Sequence, residues 1–403
     1  MGKILFVGVD VDDTAFHGAA FDRLSGEYHE FKCKPTFGAL KTKLEGFAGK
    51  GYELRVCYEA TYLGFPLCRE LRKAGILCDV IAPSLIPETS GRRVKTDRLD
   101  SIKLARLYSL GELTAVTIPD ERNQQVRDYI RIRETFVDRR SRNRKELLSL
   151  CASYDLRYKQ SSFADEHKEQ LMSKRSSSGK MKLAKEYEVE YWTGMHFDWL
   201  NTAILSVEPT IRAGFEALLE MESTLSKTLE RFESRLAEIA EEDRYRDEVL
   251  ALCSLKGVQT LTALTVITEI GDIRRFPHPQ KLTSYIGMDI IEYSSGGKEK
   301  KFGITKMGNR RVRTCMVESS QSIGVGSVTS RYLQRRRAKV VKEISDIAVR
   351  GQERLRSRSM HLTMKGKHTN KVKMACAREL ANFVWEIMTK VADMKSKKLK
   401  IAA

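Results

Sequence analysis

Two short apolar runs, each closed by an acid, constrain the fold of this chain more than any other feature. Lys3-Ile4-Leu5-Phe6-Val7-Gly8-Val9 leads directly into Asp10, and Leu54-Arg55-Val56-Cys57-Tyr58 leads into Glu59. Runs of this length and apolar content read as buried strands. Cys78-Asp79-Val80-Ile81-Ala82, stopped by Pro83, reads as another. Helical spacing lies between them, from Phe37 to Phe47 and from Leu63 to Ala74, the latter closed by Gly75. Thr14 to Leu24 and Tyr28 to Lys34 supply two further strands of an antiparallel meander. Strands followed by alternating strand and helix make an α/β layout, whose sites form at strand ends. Acids seldom end buried strands for packing reasons, which makes Asp10 and Glu59 candidate site residues.

A second pair of acids sits in Lys95-Thr96-Asp97-Arg98-Leu99-Asp100, after a Gly91-Arg92-Arg93 turn. The spacing predicts a helix from about Arg98 to Leu110. Carboxylates three residues apart share a helix face and repel unless neutralised. Alone they could be solvated surface acids. Together with Asp10 and Glu59 they make four oxygen donors of the kind that Mg²⁺ takes, with Mn²⁺ as a substitute. Two such ions roughly 4 Å apart serve phosphoryl transfer. Asp12 and Asp13 compete for the role, and Asp12 would share the face of Asp10 if the strand continued.

A chain of 403 residues suggests two or three domains. Its formal net charge of +18 points to a polyanionic partner. Residues 331–400 hold 20 Lys/Arg against 6 Asp/Glu, too one-sided for salt bridges along a helix to absorb. Nucleic acid fits better than a membrane, because no apolar run approaches the roughly 18 residues of a spanning helix. The opening residues do not read as a signal peptide. The eight cysteines are scattered without a C-x-x-C pair, which disfavours zinc or a disulfide framework and fits a reducing cytosol. No P-loop, H-E-x-x-H or G-x-S-x-G motif occurs.

Glu121 to Ser153 reads as a long charged helix, and Pro209 to Arg244 as another. The second carries Leu218, Leu219, Leu225, Leu229, Phe232 and Leu236 at spacings that suit an antiparallel hairpin or an intersubunit coiled coil. A basic stretch at about 157–190 interrupts the pattern as a flexible insertion. These boundaries divide the chain into 1–118, 119–246 and 247–403. In the last part, Leu255 to Ala263 resembles a helix-hairpin-helix, with Gln259 in place of the usual second glycine; a plain helix–helix turn reads equally well. Tyr293-Ser294-Ser295-Gly296-Gly297-Lys298 could offer a serine nucleophile toward phosphorus, although such a loop alone is simply a turn. Lys306-Met307-Gly308-Asn309-Arg310-Arg311-Val312-Arg313 reads as a phosphate-contacting helix start. Arg92, Arg93, Lys95, Lys298, Lys306, Arg310, Arg311, Arg313, Arg335, Arg336 and Arg337 are the candidate nucleic-acid contacts.

These motifs resemble a known family. Gly8-Val9-Asp10, Tyr58-Glu59-Ala60-Thr61, Lys95-Thr96-Asp97-x-x-Asp100, Arg275-Phe276, Tyr285-x-Gly287, Ser295-Gly296 and Lys306-x-Gly308-Asn309 are similar to those of DEDD-type insertion-sequence transposases, the bridge-RNA-guided serine recombinases. The resemblance spans about residues 3–325 and, at Gly366-Lys367-His368 through Trp385, a C-terminal helix. It implies an α/β RNase H/RuvC-like N-terminal domain, a long coiled-coil middle and a mainly α-helical C-terminal transposase domain. It also implies Mg²⁺ on Asp10, Glu59, Asp97 and Asp100. Ser295, or its neighbour Ser294, would form a 5′-phosphoserine link to DNA. Donor and target DNA, a structured non-coding guide RNA and a dimer or tetramer with composite sites would be the partners, in a bacterial or archaeal cytosol. A RuvC-type nuclease or resolvase without a serine intermediate is the alternative. The chain departs from the family at Asp12-Asp13, where Ser-Lys is usual, and at Ile290, where a proline is typical. Its insertions are near 157–190 and 335–362.

Overall fold

The computed structural model describes residues 3–87, 96–166, 168–169, 190–295, 298–323 and 329–402, with backbone alone at 293–301 and 398–402. The chain divides into two compact units, Met1–Asp120 and Glu121–Ala403. Among the described residues, no helix is long and apolar enough to cross a membrane.

The first unit is a five-stranded sheet with helices on both faces. Its strands are β1 (Lys3–Val11), β2 (Phe16–Asp22), β3 (Tyr28–Cys33), β4 (Tyr52–Glu59) and β5 (Leu77–Ile81). Their spatial order is β3-β2-β1-β4-β5. The first three strands run antiparallel, and β4 and β5 continue parallel to β1. Helices α1 (Phe37–Ala48), α2 (Pro66–Lys73) and α3 (Asp97–Leu110) complete the unit. The expected helix from Leu63 starts only at Pro66, because Gly64 adopts φ +67° and ends the preceding loop. The period of two sorts each strand. Leu5, Val7, Val9, Val56 and Val80 pack with Leu40, Leu44, Cys68 and Leu71 of α1 and α2. Cys57 and Ile81 pack instead with Leu104 of α3.

Gly8 sets how closely α3 lies on the sheet. A Cβ at Gly8 would stand 2.4 Å from the Ser101 carbonyl oxygen, 2.5 Å from the Ala105 nitrogen and 2.8 Å from Leu104 Cβ. The helix backbone rests on the strand backbone with nothing between them. The helix is fixed at both ends. The Thr96 hydroxyl accepts from the Leu99 amide, and Gly111 closes the C-terminus at φ 74°.

The second unit is helical apart from one hairpin. Its helices are α4 (Glu121–Ser153), α5 (Gly194–Ala203), α6 (Pro209–Ala240), α7 (Arg246–Cys253), α8 (Thr260–Ile270), α9 (Pro279–Tyr285), α10 (Arg310–Ser320), α11 (Arg331–Arg337), α12 (Lys342–Met364) and α13 (Thr369–Ala402). Strands β6 (Ile290–Ser295) and β7 (Lys298–Ile304) form the hairpin. Helices α4 and α6 pack antiparallel within the chain, as the ion pairs Arg122–Glu242, Arg133–Glu233 and Arg144–Glu222 step in opposite directions along them. At one end, Val126 and Ile130 of α4 and Leu236 and Ile239 of α6 enter the core built around α13. At the other end, Leu147, Cys151 and Phe215 join Tyr158, Trp199 and Leu200 in a separate cluster. His196 sits inside that cluster, fully buried, among the rings of Tyr158, Tyr191, Trp192 and Trp199. Its Nδ1 accepts from the Trp192 amide, and burial pushes its pKa down to about 4. It is a neutral core residue at physiological pH. Residues 170–189 of the expected basic insertion lie outside the described residues.

The Gly8 contact yields a direct test. Gly8→Ala should lower the melting temperature of the first unit by on the order of 5–10 °C, because helix and strand must separate. Backbone amides of α3 should lose hydrogen-exchange protection more than those of α1. Unchanged melting and protection would show that α3 has room to spare at this point.

Candidate functional site

The strand periodicity that sorts the core also gathers the four acids. Asp10 lies two residues beyond Gly8 on β1, and Glu59 two beyond Cys57 on β4, so both belong to the face covered by α3. The β1–β4 register pairs Val9 with Tyr58, which sets Asp10 beside Glu59. Asp97 and Asp100 occupy the first turn of α3, where the positive end of the helix favours carboxylates. Arg98, between them, points to the sheet edge and forms a bidentate pair with Glu30 of β3.

The electrostatics identify Asp10 as the centre of the group. Its pKa is raised, first by desolvation and then by the charges of Asp97 and Asp100, with Glu59 adding to the effect and His17 opposing it. Asp10 and Glu59 are half-buried, Asp100 is partly exposed and Asp97 is exposed. Among the described residues no three His, Cys, Asp or Glu side chains close into a metal-binding group. The four acids are thus electrostatic neighbours rather than a formed cage. Their chemistry, carboxylate oxygens alone, fits a hard divalent cation. Asp12 does not join them: its Oδ1 accepts from the Thr14 amide at 2.9 Å and from the Thr14 hydroxyl at 2.7 Å, fixing the β1–β2 turn. The strand ends at Val11, so the extension that would have aligned Asp12 with Asp10 is missing.

In the second unit, the C-terminal motifs form one knot at the base of the β6–β7 hairpin. Three backbone bonds clamp that base: Thr305 N to Asp289 O, Lys306 N to Gly287 O, and Asn309 N to Tyr285 O. The glycines are there for space. A Cβ at Gly287 would meet Met307 O at 2.2 Å, and one at Gly308 would meet Tyr285 O at 2.1 Å. Glu269, buried at the end of α8, ties the knot to α4. It accepts from Arg131 Nε and Nη2 at 2.9 and 3.0 Å and from Asn309 Nδ2 at 2.8 Å. Asn309 in turn caps α10 by accepting from the Val312 amide. The Arg275 guanidinium lies over both the Phe276 and Tyr285 rings, 4.3 and 4.4 Å from their centroids.

Ser295 pairs with Lys298 at the last step of the hairpin ladder. The side chains of Ser294, Ser295 and Lys298, and all of Gly296, lie outside the described residues, as do Arg92, Arg93 and Lys95. The remaining candidate cations separate into two groups. Lys306, Arg310 and Arg335 are exposed. Arg311 instead pairs with Glu134, and Arg313 donates to Ile286 O. Arg336 binds Val258 O and the Gln259 side chain. Arg337 is buried and donates to Ser254 O, Ala348 O and the Gln352 side chain. Arg337 is therefore a structural cation, because a desolvated guanidinium bonded to carbonyls cannot also grip a phosphate. The turn between α7 and α8 is held from within by these two arginines and by Gly257, whose Cα faces Ser319 O. Sequence reasoning missed Glu269 and Arg131; the signal was an acid inside the otherwise apolar Thr260–Ile270 helix.

Two outcomes test these arrangements. A carboxyl with a raised folded-state pKa destabilises the fold above that pKa and has no effect where it is protonated in both states. In metal-free buffer at pH 7, Asp10→Asn should therefore melt higher than wild type. The difference should shrink as pH falls through the folded pKa of Asp10, and Mn²⁺ should stabilise wild type more than the variant. In the second unit, Arg131→Ala takes two charged hydrogen bonds from the buried Glu269 carboxylate and should cost about 3 kcal/mol in denaturant unfolding. Arg311→Ala, which breaks a half-exposed pair, should cost less than about 1 kcal/mol.

Comparison with known proteins places these two motif sets in one family. A DEDD-type transposase family model named for IS110 matches residues 7–154, and the model described as the transposase IS116/IS110/IS902 family matches residues 250–333. The y4qE protein of Sinorhizobium fredii, which carries a transposase name, is 33% identical over 386 residues, covering 95% of this chain and 88% of its own. The transposase for insertion sequence element IS1533 of Leptospira borgpetersenii is 27% identical over 285 residues, covering 69% of this chain and 74% of its own. The transposase for IS1111A of Coxiella burnetii is 22% identical over 331 residues, covering 80% and 79%. With its carboxylates and its glycine-clamped hairpin in the matched segments, the chain belongs to the IS116/IS110/IS902 transposase family.

Proposed function

We propose that this protein cleaves and rejoins DNA as the transposase of an insertion sequence, with an RNase H/RuvC-like first unit and a serine nucleophile in the second. The observation that carries the first half is the placement of Asp10 beside Glu59 on the face covered by α3, whose first turn holds Asp97 and Asp100. The strand order β3-β2-β1-β4-β5, with its antiparallel meander and parallel continuation, supports the RNase H-like reading. Asp10, Glu59, Asp97 and Asp100 would hold Mg²⁺. Bound there, the metal would offset charge on the scissile phosphate. The chain's own contribution is to hold four carboxylates on rigid elements, through the Gly8 contact and the Thr96 cap.

The serine step rests on the resemblance of Ser295-Gly296 and its flanking motifs. The Ser295 oxygen would attack phosphorus, the bond to the 3′ oxygen would break, and the serine proton would end on that 3′ hydroxyl. The 5′ phosphate would remain on serine until another 3′ hydroxyl attacks it, which conserves the bond for rejoining. The clamp at Gly287, Lys306 and Asn309 suits such a role, because it fixes both strands of the hairpin at its base. The exposed Lys306, Arg310 and Arg335 would grip the phosphate backbone. Target choice by a non-coding RNA and assembly as a dimer or tetramer follow from the same resemblance. The protein would act in the cytosol or nucleoid.

A denaturing gel tests the proposal. End-labelled donor and target DNA, Mg²⁺ and the element's RNA should give a protein–DNA adduct with wild type. Ser295→Ala should give none, and Asp97→Ala should lose cleavage by at least about a hundredfold. Cleavage without an adduct, equal in Ser295→Ala, would replace the serine mechanism with that of a RuvC-type nuclease.

A further inference from the structure

The loop that follows Glu59 holds an exposed aromatic ring at the edge of the carboxylate group. Ala60 N donates to Ile81 O at 2.9 Å, Leu63 N to the Thr61 hydroxyl at 3.3 Å, and Gly64 N to Thr61 O at 3.2 Å. Below the loop, the buried Tyr58 hydroxyl donates to Gly64 O at 3.1 Å and accepts from Cys68 N at 3.3 Å. Leu63 and Phe65 turn inward and pack on the core. Tyr62, between these fixed points, is 74% exposed. Desolvation and then the charges of Asp13 and Asp12, in the turn that follows Asp10, push its pKa up. That turn is itself fixed by Asp12 and Thr14.

A single exposed apolar residue is ordinary on a protein surface. Tyr62 differs in two respects. Its backbone is pinned on both sides, and it stands three residues beyond Glu59 on the loop that leaves the carboxylate group. The fold gains little from a ring so open to water. A rigid ring with an open face beside a phosphodiester site suits base stacking, which tolerates any sequence.

We propose that Tyr62 is a stacking platform for a base of the DNA strand whose phosphodiester is presented to Asp10, Glu59, Asp97 and Asp100. This positioning role rests on reading the first unit as a phosphodiester site. The pinned loop holds the ring's place, and the ring supplies the binding surface. Stacking of one base is sequence-independent, so Tyr62 fixes the strand's position without choosing the target.

Photocrosslinking tests the assignment on the full chain. Single-stranded DNA carrying 5-iododeoxyuridine, bound in Ca²⁺ and irradiated, should give an adduct that peptide mapping locates at Tyr62. Tyr62→Phe should keep the crosslink, because the ring remains. Tyr62→Ala should lose it, melt like wild type, and cleave about tenfold or more slowly at sub-saturating DNA. Crosslinks confined to other residues overturn the proposal, as does cleavage by Tyr62→Ala at the wild-type rate. A Tyr62 adduct formed with 5-iodouridine RNA and not with DNA overturns the choice of strand. The underlying reading fails separately: normal cleavage by Asp97→Ala and Asp100→Ala would remove the phosphodiester site itself.

Discussion

The first unit depends on one contact, the backbone-to-backbone seat of α3 on β1 at Gly8. Strand β1 brings Asp10, and the helix brings Asp97 and Asp100, so the distance between two backbones fixes the distance between their acids. A side chain at residue 8 would displace the helix that carries half of the carboxylates. Burial first, and then the charges of Asp97 and Asp100, raise the pKa of Asp10. Leu104, Cys57 and Ile81 pack together beneath the helix.

The second unit solves a different problem, holding a two-stranded hairpin that would be marginal alone. Its base is closed by backbone bonds that require glycine at residues 287 and 308. Glu269 then connects that base to α4 through Arg131 and to α10 through Asn309. Several positions of the C-terminal motifs are accounted for by this packing. Arg275, Tyr285, Gly287, Gly308 and Asn309 shape the knot, whereas the exposed Lys306 and Arg310 remain available to a partner.

Much of the first unit was legible because its signals are local. Apolar runs ended by Asp10 and Glu59 announced the strands, and the i,i+3 pair at Asp97 and Asp100 announced a helix face. The legible part stopped where a residue's role depends on what lies across from it. Nothing in Arg335-Arg336-Arg337 says that Arg337 is buried among carbonyls while Arg335 faces water; the difference arises from the α7–α8 turn, some eighty residues away in sequence. Glu269 was hidden for the same reason, since its partners come from residues 131 and 309. Asp12 stayed open in the sequence because its place depended on where the strand stops; the strand stops at Val11, and Thr14 binds the Asp12 carboxylate locally.

The antiparallel pair of α4 and α6 has a mechanical consequence. At 1.5 Å per residue, the 33 residues of α4 extend about 50 Å, from the core around α13 to the aromatic cluster around His196. Ion pairs along its length stiffen it. Such a strut converts angle into distance: a tilt of about 10° at the root sweeps the far end through roughly 9 Å. Arg131 sits near that root and is bonded through Glu269 to the residue that caps the helix after the hairpin. The aromatic tip and the base of the hairpin are thus joined through one helix and one buried carboxylate.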